Sequence, residues 1–386
     1  MTTGRPRITE RVAASERSAI RVMFDMAEAH DGDLVRLEVG EPDFDTPEHV
    51  VRAAFEAARA GETHYTSNAG LPALREAIAD ADEAVVPDGV TVTTGGMEAL
   101  HLAMLTVVDP GSEVVIPAPA WPNYRTQTRL ADGVPVEVPL PEERGFALDP
   151  DPMIEAMGGD TAAVVLTNPS NPTGRVFDPE AIREVAAAAT EHGAYVIADE
   201  VYRGLVYEGA DRAIASYVDD PDSVLTVDSC SKRYAMTGWR VGWLAGHPDL
   251  ISEVNKIHES TTACASSVAQ HAAIAAITGP QERTRAMYEA FAERREYVVE
   301  RIDAMPVVSS APPEGAFYAF LDVRALPGDT LSIAKRLLRE HGVVTAPGNG
   351  FGDPGAGYLR VSFANGLDRL EAGFDGIEAM VREEAT

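Results

Sequence analysis

The feature that most limits how this chain can fold is a recurring contrast. Short, almost wholly apolar runs stop abruptly at polar, glycine-rich or proline-rich loops. VTVT (90–93) runs into the pair Gly95 and Gly96, and EVVIPA (113–118) into a proline-rich loop. In TAAVVLTNPSNPTG a five-residue apolar run (162–166) stops at NPSNPTG, and AYVIAD (194–199) at an Asp-Glu pair. Between them lie stretches with helical apolar spacing, such as Leu100, Ala103, Met104 and Val107, and the run 179–192. Short apolar runs without polar alternation read as strands buried on both faces. Strands alternating with helices predict a mainly parallel α/β sheet covered on both sides, here over residues 45–285. In open sheets of this kind ligands gather beyond the carboxyl ends of the strands, so the loops after these runs are the places to look for chemistry.

The stretch 223–246, SVLTVDSCSKRYAMTGWRVGWLAG, is the sharpest of these. It predicts strands at 224–227 and 240–245 joined by a polar turn that carries Lys232. The chain almost avoids lysine: the others are Lys256 and Lys335, against many arginines. A lysine at the mouth of two apolar strands, near Ser229, Ser231 and Arg240, suggests use of the amine itself. Desolvation and neighbouring cations lower an amine's pKa and make it nucleophilic, the route by which lysines form Schiff bases. Asp199 closes an apolar strand, where a carboxylate is costly unless a cation or hydrogen bonds meet it. No His or Cys stands at ligand spacing around Asp199, so a metal site is not expected.

Other positions admit two readings from the residues alone. Gly40, after a strand expected at 34–39, serves equally as a turn glycine. Thr46 is the expected N-cap of a helix over 47–60, with Pro47 at its first position. Tyr65, in the polar loop HYTSNAG, reads as a surface or core tyrosine. The Gly95–Gly96 turn is structural or an anion-binding helix start; it fits neither a dinucleotide-binding fingerprint nor a P-loop. Trp121 packs or stacks on a ring. Arg360, within YLRVSFA, is a surface arginine on an edge strand or a buried guanidinium aimed at a carboxylate.

Charge removes whole classes of partner. A formal charge of −29 over 386 residues argues against nucleic acid and anionic membranes. With so few lysines it looks like adaptation to high salt. Cys230 and Cys264 are the only cysteines, so no disulfide framework is expected and a reducing cytoplasm is. The start MTTGRPRITERV has no apolar signal region, and no run approaches the ~18 apolar residues of a membrane span. A helix is expected over 15–29, and long helices over 250–305.

SxSKxxxMTGWRxGW closely resembles the Schiff-base segment of the class I/II aminotransferases, pyridoxal-phosphate enzymes of fold type I. The resemblance runs from about residue 30 to the C-terminus and includes NPSNPTG and LRVSFA. It implies a large domain with a seven-stranded sheet at 45–285, a small α/β domain at 286–386, and an N-terminal arm, partly in the small domain, at 1–44. It implies pyridoxal 5′-phosphate on Lys232, with Asp199 at the ring nitrogen and Asn171 and Tyr202 at the 3′-oxygen. Trp121 would lie on the ring face, and Gly95, Gly96, Met97, Ser229 and Arg240 would hold the phosphate. Tyr65 would reach the phosphate of a neighbouring subunit, which makes a homodimer part of the site. Gly40, Trp121, Asn171 and Arg360 would meet the substrate, with Arg360 on its α-carboxylate. Lys232, Asp199 and Tyr202 would carry the catalysis, a ping-pong transfer of an amino group from an L-amino acid to a 2-oxo acid.

Some aspartate-using relatives carry lysine where this chain has Met97, whereas EPDFDTP and AMTGWR resemble that same subgroup. The expected donor is aspartate or a broad range, with 2-oxoglutarate as acceptor; aromatic, branched and alanine-type donors stay open. A carbon–sulfur or β-lyase of the same fold is the competing enzyme, and an amino-acid-sensing domain the competing non-enzyme.

Overall fold

The computed structural model describes residues 8, 9, 12 and 19–384. Its strands, in chain order, are β1 (Val35–Arg36), β2 (Val90–Thr93), β3 (Glu113–Ala118), β4 (Val134–Pro139), β5 (Thr161–Thr167) and β6 (Tyr195–Asp199). They continue with β7 (Val224–Ser229), β8 (Gly242–Ala245), β9 (Tyr318–Asp322), β10 (Val343–Val344), β11 (Ala346–Pro347) and β12 (Tyr358–Ser362). Seven of them form one sheet in the order β2-β8-β7-β6-β5-β3-β4. All its pairings are parallel except those made by β8, which runs antiparallel to both β2 and β7. The mainly parallel sheet read from the apolar runs is therefore present, with one reversed strand.

Strand geometry explains why those runs are apolar throughout. Successive side chains point to opposite faces, and here both faces are covered. Ala163, Val165, Ile197, Val114 and Ile116 pack beneath the helix Gly96–Val107. Their chain neighbours Val164, Leu166, Val196, Ala198 and Val115 pack on the other face, beneath the helix Pro179–Glu191. That second helix is capped by the Asp178 carboxylate, which accepts the Glu180 N–H at 2.8 Å.

Three strands form a separate antiparallel sheet, β11-β12-β9. Its centre is β12, the strand that carries Arg360. Helices Thr330–His341 and Leu367–Glu384 share its apolar core with Met23 and Ala27 of the helix Ala19–Glu28. The long helices expected over 250–305 are Pro248–Thr261, Ser267–Thr278 and Glu282–Asp303. The boundary expected at 285/286 falls in the first turn of the last. No helix among the described residues is long and apolar enough to cross a membrane.

Three local expectations differ from the structure, and a fourth is only partly described. Of the strand expected at 34–39, only Val35–Arg36 pairs, with β10. The helix expected over 47–60 is Glu48–Arg59, with Pro47 rather than Thr46 at its cap. Thr46 turns its hydroxyl to the Ala235 carbonyl at 2.6 Å, a partner remote in sequence that outcompetes the local cap. The helix expected over 15–29 is described as Ala19–Glu28, and residues 15–18 lie outside the described residues. The strand expected over 240–245 begins only at Gly242. Arg240 takes φ 53° and ψ 57°, left-handed values that no strand residue can hold.

Candidate active site

The topology explains why the site residues meet. β2, β3, β5, β6 and β7 all deliver their carboxyl ends to one edge of the sheet. β8 is reversed, so its amino end, with Arg240 just before it, arrives at the same edge. A cavity of about 420 Å³ opens there. Its wall includes Gly40, Gly96, Met97, Trp121, Asn171, Asp199, Tyr202, Ser229, Lys232, Arg240 and Arg360.

One end of the cavity suits a dianion. After β2 the chain turns at Gly95, with φ 79°, into the helix Gly96–Val107, whose first amides lack intrahelical partners. Gly95 also clears space for Arg240: a Cβ there would lie 2.6 Å from Arg240 Nη2. The left-handed backbone of Arg240, unfavourable for a non-glycine by about 1–2 kcal/mol, is the local strain that lays its guanidinium over this turn. Ser229 and Ser231 line the same end of the cavity, and Ser231 N–H donates to Ser229 Oγ at 3.3 Å.

The middle of the cavity holds two groups of opposite charge type. Asp199 is buried at the end of β6 and accepts a hydrogen bond from Tyr124 Oη at 2.6 Å. Tyr124 in turn accepts from Thr167 Oγ1 at 2.7 Å. Burial pushes the Asp199 carboxyl up to about 6, and the Tyr124 bond opposes that rise. Lys232 Nζ donates to the Gly40 carbonyl at 2.7 Å. Burial brings its pKa down to about 8, against the pull of Glu41. Neither group has an opposite charge within salt-bridge distance among the described residues. Trp121 stands edge-on to Tyr124, with ring centroids 5.5 Å apart.

Arg360 faces the third side from the centre of the small sheet. It is 5% exposed, which settles its two sequence readings in favour of the buried guanidinium. Its Nη1 donates to Asn171 Oδ1 at 3.0 Å and its Nη2 to the Glu38 carbonyl. Its Nε, buried, has no partner among the described residues, and each Nη carries a second N–H beyond these two bonds. Asn171 Nδ2 lies 3.5 Å from Tyr202 Oη, which is 2.7 Å from Tyr318 Oη.

The sequence-predicted residues thus converge, with one exception. Tyr65 is 91% exposed and is not part of this cavity's wall. Three groups were missed. Tyr124 stands one helical turn after Trp121 in the WPNY segment, a spacing that could have flagged it. Tyr318, in GAFYAF, looks like a core aromatic and nothing in its neighbours marks it. Glu38 is a buried carboxylate whose Oε2 lacks a partner and whose Oε1 is bound by Arg36.

The family model for aminotransferase class I and II matches residues 32–370. The chain belongs to that family. It is a pyridoxal-phosphate-dependent aminotransferase by membership. An aspartate aminotransferase of Pyrococcus horikoshii is 35% identical over 98% of this chain and 96% of that protein. The structure of Thermus thermophilus aspartate aminotransferase with maleate superposes with a TM-score of 0.92 at 36% identity, covering 97% of this chain and 100% of that one. An alanine aminotransferase from Pyrococcus furiosus superposes with a TM-score of 0.92 at 32% identity, covering 98% and 100%. The fold is thereby that of the fold type I enzymes.

Proposed function

We propose that the cavity binds pyridoxal 5′-phosphate and exchanges an amino group between an L-amino acid and a 2-oxo acid in two half-reactions. The observation that carries this reading is the pair Lys232 and Asp199, each enclosed, neither charge-paired, and both facing one cavity. The donor set fits the cofactor group by group. The helix start at Gly95, Gly96 and Met97, with Ser229 and Arg240, matches a phosphate; Asp199 matches a ring cation; Asn171 and Tyr202 match a ring oxygen.

Bound there, pyridoxal phosphate supplies the electron sink that makes a substrate α-proton removable. Asp199, held by Tyr124, keeps the ring nitrogen protonated through charge complementarity. A cation opposite it also restores the carboxylate that burial disfavours. Lys232, with its pKa brought to about 8, is partly neutral near that pH and so can act as nucleophile. Nζ, once free, would take the substrate α-proton as base and, as acid, deliver it to the carbon on the far side of the substrate nitrogen. Arg360 receives the α-carboxylate on its fork, and Asn171 fixes the fork's orientation. Trp121 would supply an aromatic face for the bound ring.

The names of the aspartate-using relatives support aspartate as donor. The cations lining the cavity, Lys232, Arg240 and Arg360, already have roles, and Met97 stands where a further one would serve. A distal carboxylate then takes its cation from a second copy of the chain. The exposed Tyr65 suits the same dimer, with its hydroxyl on the second copy's phosphate.

The test is the absorbance spectrum of the purified, cofactor-loaded protein, with single amino acids and no acceptor. Loss of the lysine-bound band with release of one equivalent of 2-oxo acid is expected, with aspartate the most effective donor. Continuous release of pyruvate and ammonia would establish the lyase instead.

A further inference from the structure

Tyr318 has no place in the sequence reading, yet it touches Arg360, Tyr202 and Gly40 at the site. It lies on β9, where Phe320 is the direct partner of Arg360 on β12. Tyr318, two residues from Phe320, shares its face and is the diagonal neighbour of Arg360, within reach of long side chains. The Arg360 guanidinium stacks on the Tyr318 ring at 4.3 Å, with the Phe351 ring at 5.1 Å. The Tyr318 hydroxyl meets Tyr202 Oη at 2.7 Å, and the two rings stand edge to face. A Cβ on Gly40 would collide with that hydroxyl, so the bare backbone of Gly40 makes its place. The Gly40 carbonyl is also the acceptor for Lys232 Nζ.

Donor counting gives the direction of the bond. A phenol has one proton to give. If Tyr202 spends it on a cofactor oxygen, the bond between the two tyrosines must be donated by Tyr318. Tyr202 is the only hydrogen-bond partner of the Tyr318 hydroxyl among the described residues. A ring of four contacts closes in this way: Arg360 to Asn171, Asn171 to Tyr202, Tyr202 to Tyr318, and Tyr318 back to Arg360. Two of its members come from the seven-stranded sheet's loops and two from the three-stranded sheet.

We propose that Tyr318 is a positioning residue with two separable jobs. Its hydroxyl turns the Tyr202 proton toward the cofactor oxygen, and its ring is the shelf that holds Arg360 for the substrate carboxylate. The proposal rests on the assignments of Tyr202 and Arg360 made above.

Two variants separate the jobs. Tyr318→Phe keeps the shelf and removes the hydroxyl; Tyr318→Leu removes both. The first readout is the pH titration of the lysine-bound cofactor's absorbance in wild type, Tyr318→Phe, Tyr202→Phe and the double variant. Loss of a donated bond leaves the cofactor oxygen more basic, so Tyr318→Phe raises the midpoint, by up to about one pH unit for one hydrogen bond. In the Tyr202→Phe background the same change adds no further shift, because the hydroxyl acts only through Tyr202. The second readout is the Kd of a non-reactive carboxylate analogue of the substrate. It stays within about twofold in Tyr318→Phe and weakens roughly fivefold in Tyr318→Leu, as loss of a buried cation–π contact implies.

An unmoved midpoint in Tyr318→Phe, or equal shifts in both backgrounds, overturns the hydroxyl's job. A Tyr318→Phe Kd weakened as much as that of Tyr318→Leu overturns the shelf. Tyr318→Phe alone decides the first job if Tyr318→Leu does not fold. A wild-type protein that shows no lysine-bound band brings down the site assignment and this proposal together. A normal wild-type band with unresponsive variants brings down this proposal alone.

Discussion

Lys232 stands in the wall between two concavities, and the contrast between them shows what makes one a site. The larger, about 520 Å³, lies behind the lysine segment and is lined by Asp82, Arg203, Asp211 and Arg233 among others. Its enclosed charges are bound from within, whereas Glu83, Arg212 and Arg285 in its lining are exposed to solvent. Arg203 Nη1 lies 2.6 Å from Asp82 Oδ2 and 3.0 Å from Glu200 Oε2. Arg233 Nε donates to the Arg203 carbonyl at 3.0 Å, and the Asp211 carboxylate accepts the Gly204 N–H at 3.1 Å. Glu200 Oε1 holds the Ile214 N–H at 2.6 Å, which braces the loop after β6. In the smaller cavity Lys232, Asp199 and Arg360 are enclosed with no opposite charge within salt-bridge distance among the described residues. Volume does not separate the two concavities; enclosed charge left unanswered does, because a ligand rather than solvent must answer it.

The largest expected effect sharpens this contrast from the cavity side. Lys232→Ala should lower turnover by about 10⁴-fold or more, the loss of nucleophile and proton carrier together, with circular dichroism unchanged. On the other side of the wall the expected effect is on stability. Arg203→Ala leaves the Glu200 carboxylate buried without its cation and should destabilise the fold by about 3–5 kcal/mol in denaturant titration. Turnover per folded molecule should stay within about threefold. A loss near that of Lys232→Ala would break the comparison, since the brace would then be part of the machinery.

Next in size is a pH effect on the cofactor-free protein. Lys232 has its folded pKa brought from 10.5 to about 8 by burial. The unfolded chain binds the extra proton between those values, so stability rises with pH across them, by up to about 3 kcal/mol. Asp199 has its folded pKa raised from 3.8 to about 6, so the stability its neutral form contributes below 3.8 is lost as pH rises through 6. Both groups are charged, and both are unfavourable, between pH 6 and 8. Thermal unfolding should show cofactor binding adding most stability in that window, and Lys232→Met should flatten the cofactor-free profile above pH 8. A cofactor effect independent of pH would contradict the unpaired charges.

The smallest effect expected is that of Tyr124→Phe. It removes one hydrogen bond to a charged group, about 1.5 kcal/mol, and should weaken cofactor affinity roughly tenfold while the fold is kept. An unchanged affinity would mean that Asp199 is held by the end of β6 alone.

Local chemistry decided much of this protein in the sequence itself. Buried parallel strands need apolar side chains on both faces, so the apolar runs of EVVIPAPAWPNY, of 162–166 and of the stretch that Asp199 closes were legible as strands without any partner in view. A lone lysine and a strand-end aspartate were legible as chemistry because each is expensive where it stands. The identity of the cofactor came from the resemblance of the lysine segment and NPSNPTG to a known family, which composition and spacing could not supply.

Only the tertiary structure decided the rest, wherever the deciding partner is far along the chain. Thr46 left its helix for Ala235, 189 residues away. Arg240 left its strand because its guanidinium lies over Gly95. The reversal of β8, set by hydrogen-bond pairing with both neighbours, brought Arg240 to the edge where the parallel strands end. Arg360 became a buried fork because β12 is the middle strand of its sheet. Tyr318 meets Tyr202, 116 residues distant. Periodicity and propensity act over a few residues and can be read in order; long-range hydrogen bonds and charge stacking depend on which strands become neighbours, and folding alone settles that.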